Sequence, residues 1–446
     1  MNETTTNILN DLSFCVFDLE TTGGNHTVDK IIEIGLIKVE NRKIVEQKTY
    51  LINPEIPIPE FIQKLTNIKQ SDVGGCPTID DVIDEILDFM GDSILVAHNT
   101  SFDVPFFNSV LKRLNRPTMV NKSICTNLMT KYLIPNLLNS NLNYMSKIFG
   151  IPHHKAHRAL DDAKASAQLL LKYMDIFAEK GISKVNNLYY PRNKFELDRN
   201  NFKKGTPKEK IIKTIEDIKT PFLITLKGKN GVILFSIPCK NTHEEVSYIK
   251  NKIEFFDWEL ITLKLYGPYL EIFVHYNTLF SKIDVNQREE IIEFLWKTHL
   301  PQKAIVKAST STKKQDQVAL EIDSKEVGDF VICYHLVPEQ FLMIPLKSFH
   351  PKSLLVFRFP AHKKKLIQNI SSKASKLSHH KLKKTHYNPQ LKEFLKALII
   401  KEKIEGNPEF MFFNAPKDKN YSELLQRLEK FINKKSHKYF FPKEYI

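Results

Sequence analysis

The sequence predicts an α/β domain with a mixed central sheet over residues 1–180, followed by an α+β region over residues 216–446. Three observations support this prediction. Short apolar runs typical of buried strands come first along the chain, and helical spacings of apolar residues are interleaved after them. A stretch rich in Lys, Arg and Asn then interrupts both patterns at residues 181–215, and we interpret it as a basic linker.

In the first part, apolar composition predicts strands and the spacing of apolar side chains predicts helices. Thr78 is the expected N-cap of one helix, and Pro105 fits the first turn of another. The expected strands are 13–19, 30–39, 43–52 and 93–97, and the expected helices are 79–90, 103–114, 142–149 and 159–177.

In the second part, strands and helices alternate without a sequence repeat, and the region forms one or two subdomains. Thr242 and Glu245 predict a capping box at the start of a helix. The expected strands are 222–226, 232–237, 260–266, 270–275, four runs within 318–359, and 410–413. Further helices are expected at 287–296, 361–377, 390–403 and 420–433.

Composition places the chain among globular proteins of a reducing compartment. Hydrophobic residues make up 42% and charged residues 26% of the chain. No run approaches the ~20 apolar residues of a membrane span, and the polar N-terminus does not resemble a signal peptide. The five cysteines are scattered without metal-site spacing. We therefore expect a cytoplasmic protein with no membrane partner.

The net charge of +14 is unevenly distributed. Residues 1–180 carry 18 Lys and Arg against 22 Asp and Glu, whereas the rest carries 47 against 29. An acidic part followed by a basic part favours a catalytic unit joined to a unit that faces a polyanion. The alternative is that the lysines of the second part only keep the protein soluble.

Two carboxylates, Asp18 and Glu20, stand two positions apart at the end of the first apolar strand. Side chains of a strand alternate, so both lie on the same face. Neighbouring carboxylates repel each other, and burial increases that cost unless a divalent cation lies between them. A solvated acidic pair at a strand end is the alternative.

Three further residues are candidates for the same site. Asp103 follows the strand at 93–97, and alone it is better explained as a helix N-cap. His157 and Asp162 lie where a loop passes into the helix at 159–177. Alone, they are typical of an ordinary helix start, as is the neighbouring Asp161.

Together these segments resemble the His-containing branch of the DEDD 3′–5′ exonuclease superfamily, the DnaQ-like enzymes, and especially the proofreading exonuclease of bacterial DNA polymerase III. The similarity covers residues 12–178. Within it, the run at 65–68 matches the family except that Asn67 stands where the family usually has glycine. Asn tolerates left-handed backbone, so this difference is minor. The matching motifs are FDLETTG at 17–23, IIEIG at 31–35, LTNI at 65–68, VAHNTSFD at 96–103 and HRALDDA at 157–163.

The resemblance implies an RNase H-like fold and a site for two divalent metal ions, Mg²⁺ or Mn²⁺. In such a site the ions activate a water molecule and stabilise the leaving 3′ oxygen. The implied ligands are Asp18, Glu20, Asp103 and Asp162, and the implied general base is His157. An imidazole suits that role because its ordinary pKa is about 6.5. The implied lining of the terminal-nucleotide site is Leu19, Thr21, His98 and Phe102.

The function expected from the resemblance is a metal-dependent 3′–5′ exonuclease in proofreading, repair or trimming. It would act on nucleic acid with a free 3′ end, with DNA favoured over RNA. The alternative is a degenerate fold that binds nucleic acid, or docks to a polymerase or repair protein, without cutting. For the second part, three interpretations remain: a nucleic-acid-binding module, a partner-docking module, or a second enzyme. Residues 340–392 contain 12 Lys and Arg, no Asp or Glu, and aromatic residues that could stack on bases or fill a core.

Overall fold

A computed structural model describes residues 12–134, 136–153, 156–179, 197–300, 327–347, 349–378, 387–416 and 420–433. The chain forms two compact units, one containing Met1–Glu196 and the other Leu197–Lys443. Among the helices of these described ranges, none is long and apolar enough to cross a membrane. All five cysteines are free thiols, in line with their scattered positions.

The first unit contains five strands and seven helices within its described residues. Helices α1, α2 and α5 were not predicted, because they are short and bury few apolar side chains. The strands are β1 (Phe14–Thr21), β2 (Ile31–Glu40), β3 (Lys43–Leu51), β4 (Ile94–Ala97) and β5 (Ser123–Cys125). The helices are α1 (Glu60–Thr66), α2 (Gln70–Val73), α3 (Ile79–Met90), α4 (Thr100–Arg113), α5 (Thr126–Leu133), α6 (Leu142–Ile148) and α7 (Ala159–Glu179).

The five strands form one sheet in the order β3-β2-β1-β4-β5. β1 pairs antiparallel with β2 and parallel with β4, so the predicted mixed sheet is confirmed. β1 lies at the centre, and Phe14, Cys15, Val16 and Phe17 are each at most 1% exposed. Because β1 and β4 run in the same direction, the segments that follow them emerge at the same edge of the sheet.

Helix α7 packs directly on the sheet through small and aliphatic side chains. Ala163, Ala167 and Leu170 on its inner face are fully buried. At its first turn the helix meets Gly35 of β2, where a Cβ atom would lie 2.3 Å from the carbonyl carbon and oxygen of Ala159. No side chain fits in that space, so glycine is what allows the start of α7 to contact β2.

The second unit contains eight strands and seven α-helices within its described residues. The strands form two four-stranded sheets, with the orders β6-β9-β7-β8 and β12-β11-β10-β13. The strands are β6 (Arg199–Lys203), β7 (Phe222–Lys227), β8 (Ile233–Cys239), β9 (Leu260–Leu265), β10 (Phe330–Tyr334), β11 (Phe341–Pro345), β12 (Leu355–Phe357) and β13 (Phe410–Phe413). The helices are α8 (Lys208–Asp217), α9 (His243–Phe255), α10 (Tyr269–Phe280), α11 (Val285–His299), α12 (Lys363–Ser378), α13 (Pro389–Ile404) and α14 (Ser422–Asn433).

The predicted linker at 181–215 is structured in the part that the structure describes. Strand β6 pairs antiparallel with β9, and helix α8 buries Ile211 and Ile215 completely. Neither element was predicted. Strand β6 was missed because it is polar and depends on a partner strand about 60 residues later in the chain. Residues 180–196 lie outside the described residues.

The prediction of a strand at 270–275 was wrong, because these residues belong to helix α10. This helix is buried on most sides, so its sequence is largely apolar around Glu271 and His275, and such a run does not distinguish a buried helix from a strand. Of the four strands expected in 318–359, the structure shows β10, β11 and β12. The first part of that range, up to residue 326, lies outside the described residues.

The aromatic residues of the basic stretch 340–392 are mainly core residues where the structure describes them. Phe341, Phe349 and Phe357 are at most 4% exposed, and Tyr387 donates its hydroxyl to the carbonyl oxygen of Phe273 at 2.9 Å. The three phenylalanine rings are therefore not available to stack on bases. Binding of nucleic acid by the second unit remains a prediction that rests on its charge.

Replacement of Gly35 by alanine should destabilise the first unit. The added methyl group would overlap backbone atoms of Ala159, so α7 would have to move, which typically costs about 1–3 kcal/mol. Thermal unfolding should show a Tm several degrees lower. Gly75→Ala is the matched control, because a Cβ atom there meets nothing within 4 Å. Equal Tm values for the two variants would contradict the close packing of α7 on β2.

Candidate metal centre

The first two acidic residues of the site lie at the end of β1. Side chains alternate along a strand, so Asp18 and Glu20 are on the same face. In the pairing with β2, Asp18 is opposite Gly35 and Glu20 is opposite Glu33, and the register shifts immediately after Glu20. Glu20 is only 8% exposed, so its carboxylate is largely removed from water.

Asp103 reaches the same place from the first turn of helix α4. Asn99 occupies the N-cap position of this helix. Asp103 is therefore not the N-cap, the role that the sequence alone favoured for it. Asp103 is 4% exposed, and backbone hydrogen bonds from Leu19 and from its own residue hold its carboxylate. Because β4 is parallel to β1, helix α4 begins beside the end of β1.

The third segment contributes Asp162 and His157 at the start of helix α7. The backbone N–H of His157 donates a hydrogen bond of 3.1 Å to Oδ2 of Asp162. His157 has a positive φ of 64° and an exposed side chain. Potential ligand atoms of Glu20, His157 and Asp162 all lie within 4.8 Å of one another, whereas Asp161 is not part of this group.

The pKa of each of the four carboxyl groups is raised, and at Asp18 and Glu20 the charges of the other carboxylates contribute to the rise. Burial is the largest cause at each of them, and it raises the pKa of Glu20 to about 8 and that of Asp103 to about 7. The pKa of Asp18 is raised well above its ordinary range by burial and then by the charges of Asp103, Asp162 and Glu20. Burial also raises the pKa of Asp162, whereas the hydrogen bond from His153 lowers it and so offsets part of this effect.

These features fit a divalent cation better than they fit a carboxylate cluster alone. Four oxygen-donor side chains converge from three separate segments, and among the described residues no Lys or Arg lowers the pKa of Asp18, while only Arg158 lowers that of Glu20. Hard divalent cations prefer such oxygen ligands. The residues Asp18, Glu20, Asp103 and Asp162 are therefore suited to hold a metal ion.

Glu33 supports the site from β2, a role that the sequence did not reveal. Its side chain is 3% exposed and accepts hydrogen bonds from the guanidinium group of Arg158 at 2.7–3.2 Å and from the backbone N–H of Ala159 at 2.9 Å. The carboxylate thus binds the first free N–H group of helix α7 and its neighbouring arginine. Together with the close contact at Gly35, this fixes the segment from His157 to Asp162 against the sheet.

The residues expected to line the nucleotide site belong to the same segments as the carboxylates and differ in their exposure. Leu19 and Thr21 are at most 7% exposed, and the Thr21 hydroxyl donates to the carbonyl oxygen of Gly23 at 2.7 Å. Phe102 is half-buried and packs at 5.6 Å on Phe106.

His98 is held within the protein by both of its ring nitrogens. Nδ1 lies 3.0 Å from the Thr126 hydroxyl and Nε2 lies 2.8 Å from the Ser140 carbonyl oxygen. Burial lowers the pKa of its imidazole, which favours the neutral ring. Its bonds therefore indicate a role in holding the loop before α6 next to the site.

Comparison with known proteins agrees with the motifs at this site. Residues 15–170 match the family model described as Exonuclease. The DNA polymerase III PolC-type protein of Caldanaerobacter subterraneus is 40% identical over 175 residues, which are 39% of this chain and 12% of that protein. The protein of the same description from Bacillus subtilis is 37% identical over 176 residues, again 39% and 12%. The chain thus spans about an eighth of the length of these relatives.

Solved structures with a similar region include exonuclease X in complex with 5′ overhanging duplex DNA, at 27% identity over 38% of this chain and 97% of that chain, with a TM-score of 0.31. The nuclease domain of 3′hExo, a DEDDh family member bound to rAMP, is 20% identical over 39% of this chain and 94% of that chain, with a TM-score of 0.33. Residues 15–170 are thus similar to exonuclease domains and to a part of the DNA polymerase III PolC-type proteins, in agreement with the predicted resemblance to DnaQ-like 3′–5′ exonucleases.

Proposed function

We propose that this protein is a metal-dependent 3′–5′ exonuclease that removes nucleotides from a free 3′ end, with DNA as the favoured substrate. The observation that carries the proposal is the convergence of Asp18, Glu20, Asp103 and Asp162 from three segments, with His157 at the open side of the group. The presence of all five residues argues against a degenerate fold that binds without cutting.

In this proposal the four carboxylates hold two divalent ions, Mg²⁺ or Mn²⁺. Bound there, such ions supply an activated water and stabilise the charge on the leaving 3′ oxygen. The buried carboxylates cannot reorient freely, because Glu20 and Asp103 are each less than 10% exposed and are held on a central strand and a helix start. The protein therefore contributes a preformed set of oxygen donors.

His157 is suited to accept the proton of the attacking water. Its ring is exposed, and its ligand atom lies within 4.8 Å of those of Glu20 and Asp162. Its backbone is fixed by the hydrogen bond to Asp162, so the ring is attached next to the site on a short, defined turn. Proton transfer to a positioned side chain of this kind contributes about 10²–10⁴ to a rate.

Cleavage of labelled oligonucleotides tests the activity. Purified protein with Mg²⁺ or Mn²⁺ should release mononucleotides from the 3′ end of single-stranded DNA, and parallel assays with duplex DNA and RNA give the preference. Asp18→Asn should abolish the release, because it removes one oxygen ligand and one negative charge. Asp162→Asn should do the same, whereas Asp161→Asn is the matched control and should stay active. Internal cutting of a circular strand, or an active Asp18→Asn, would disprove the assignment.

Loss of the imidazole should impair chemistry without removing the metals. For His157→Ala we expect kcat to fall by about 10²–10⁴, the usual contribution of a general base. Mn²⁺ affinity should change little, because His157 is proposed as a base rather than a ligand. Calorimetric titration with Mn²⁺ beside steady-state kinetics separates the two roles, and a large loss of Mn²⁺ affinity would make His157 a ligand instead.

Without metal, the stability of the first unit should fall as pH rises from about 5 to about 8. The folded protein keeps protons on Glu20 and Asp103, whose pKa values are about 8 and about 7, but the unfolded chain releases them at its ordinary pKa of about 4. A group that binds protons more tightly when folded loses its stabilising effect as pH rises through that window. Glu20→Gln should flatten the decline in Tm measured with a chelator present.

Saturating Mg²⁺ should raise the Tm more at pH 8 than at pH 5.5, because at pH 8 fewer protons compete with the cation for the carboxylates. A wild-type Tm that does not change with pH over this range, with and without metal, would contradict the raised pKa values of these carboxyl groups.

A further inference from the structure

The carboxylate of Asp162 is held on both oxygens by two different histidines. His157 donates its backbone N–H to Oδ2, a bond that any residue except proline could make. The ring of His153 contacts Oδ1 through Nε2, and this bond depends on the side chain. His153 stands four residues before His157 and was not singled out by any sequence motif.

The surroundings of His153 fix the direction of this hydrogen bond. Its side chain is only 4% exposed. Its other nitrogen, Nδ1, is buried and has no hydrogen-bond partner among the described residues. An ionised carboxylate only accepts hydrogen bonds, so the contact of Nε2 with Oδ1 requires the ring proton on Nε2. His153 is therefore a donor to Asp162.

The backbone places His153 rigidly. Helix α6 ends at Ile148, and the chain turns at Gly150, whose φ is +63°. The N–H of Ile151 then donates to the carbonyl oxygen of Ser146 at 2.8 Å, which closes the end of the helix. His153 follows two residues later, after Pro152, so its ring projects from a short and ordered connection.

We propose that His153 is a positioning residue that orients the Asp162 carboxylate for metal binding. The inference rests on the proposed function, in which Asp162 is a metal ligand. Donation to Oδ1 fixes the plane of the carboxylate and leaves its remaining lone pairs for the ion. Partners of this kind behind a metal ligand typically contribute about 10–100-fold to metal affinity.

Mn²⁺ affinity, measured by electron paramagnetic resonance or calorimetry, tests the role of His153. His153→Leu keeps an apolar group of similar reach but removes the donor, and should weaken Mn²⁺ binding by about 10–100-fold. His153→Gln places an amide N–H near the position of Nε2 and should restore the affinity to within about threefold. With saturating Mn²⁺, the KM for an oligonucleotide should be the same in the wild type and both variants.

The controls separate this proposal from the proposed function. A wild-type protein that binds no Mn²⁺ would overturn both. If Asp162→Asn loses Mn²⁺ but His153→Leu does not, only the role of His153 is overturned. Equal weakening in His153→Leu and His153→Gln would show that packing, rather than hydrogen bonding, matters, and would also overturn it. If His153→Leu does not fold, His153→Asn replaces it, because its shorter amide does not reach Oδ1.

Discussion

The repulsion among four buried carboxylates is the constraint around which the first unit is organised. Burial and like charge act in the same direction on Asp18 and Glu20, and burial also raises the pKa of Asp103, so the group is least favourable when it is fully ionised. A central strand and two helix starts nevertheless bring the carboxylates together. Such an arrangement is stable at neutral pH when protons or cations neutralise its negative charge. Two divalent cations are enough to balance four carboxylates.

The position of helix α7 decides whether the group is complete. Asp162 approaches the other carboxylates only because α7 begins directly against β2, where Gly35 leaves room and Glu33 binds the N–H of Ala159 and the side chain of Arg158. Arg158 also lowers the pKa of Glu20, so the same ion pair that anchors the helix offsets part of the repulsion. Anchoring and charge balance are thus performed by the same residues.

Much of the site could be predicted from the sequence, because its residues lie within short motifs tied to local structure. The period of a strand places Asp18 and Glu20 on one face, whereas Asp103 and Asp162, which alone are typical of helix starts, were assigned only through the resemblance of their motifs. Glu33 could not be assigned in this way, since its partner Arg158 lies 125 residues away and the pairing exists only after folding.

The second unit shows the same limit on a larger scale. The capping box at Thr242 was correct because it depends on neighbouring residues, and the strand Phe410–Phe413 was correct because its own residues are all apolar, although it pairs with the distant strand β10. Strand β6 and helix α10 were missed or mistaken because they depend on burial by distant parts of the chain. Its excess of lysines is compatible with a polyanion, but its described aromatic residues largely serve its core.

The order of the ligands along the chain has a consequence for the protein during its synthesis. Asp18 and Glu20 are made first, but Asp162 lies in α7, the last helix among the described residues of the first unit. A growing chain that ends before this helix has three of the four carboxylates and lacks the surface of α7 that covers β1 and β2. The proposed metal centre therefore cannot be complete on the ribosome until α7 has emerged and docked, so the nascent chain lacks a complete site while the first unit is being made.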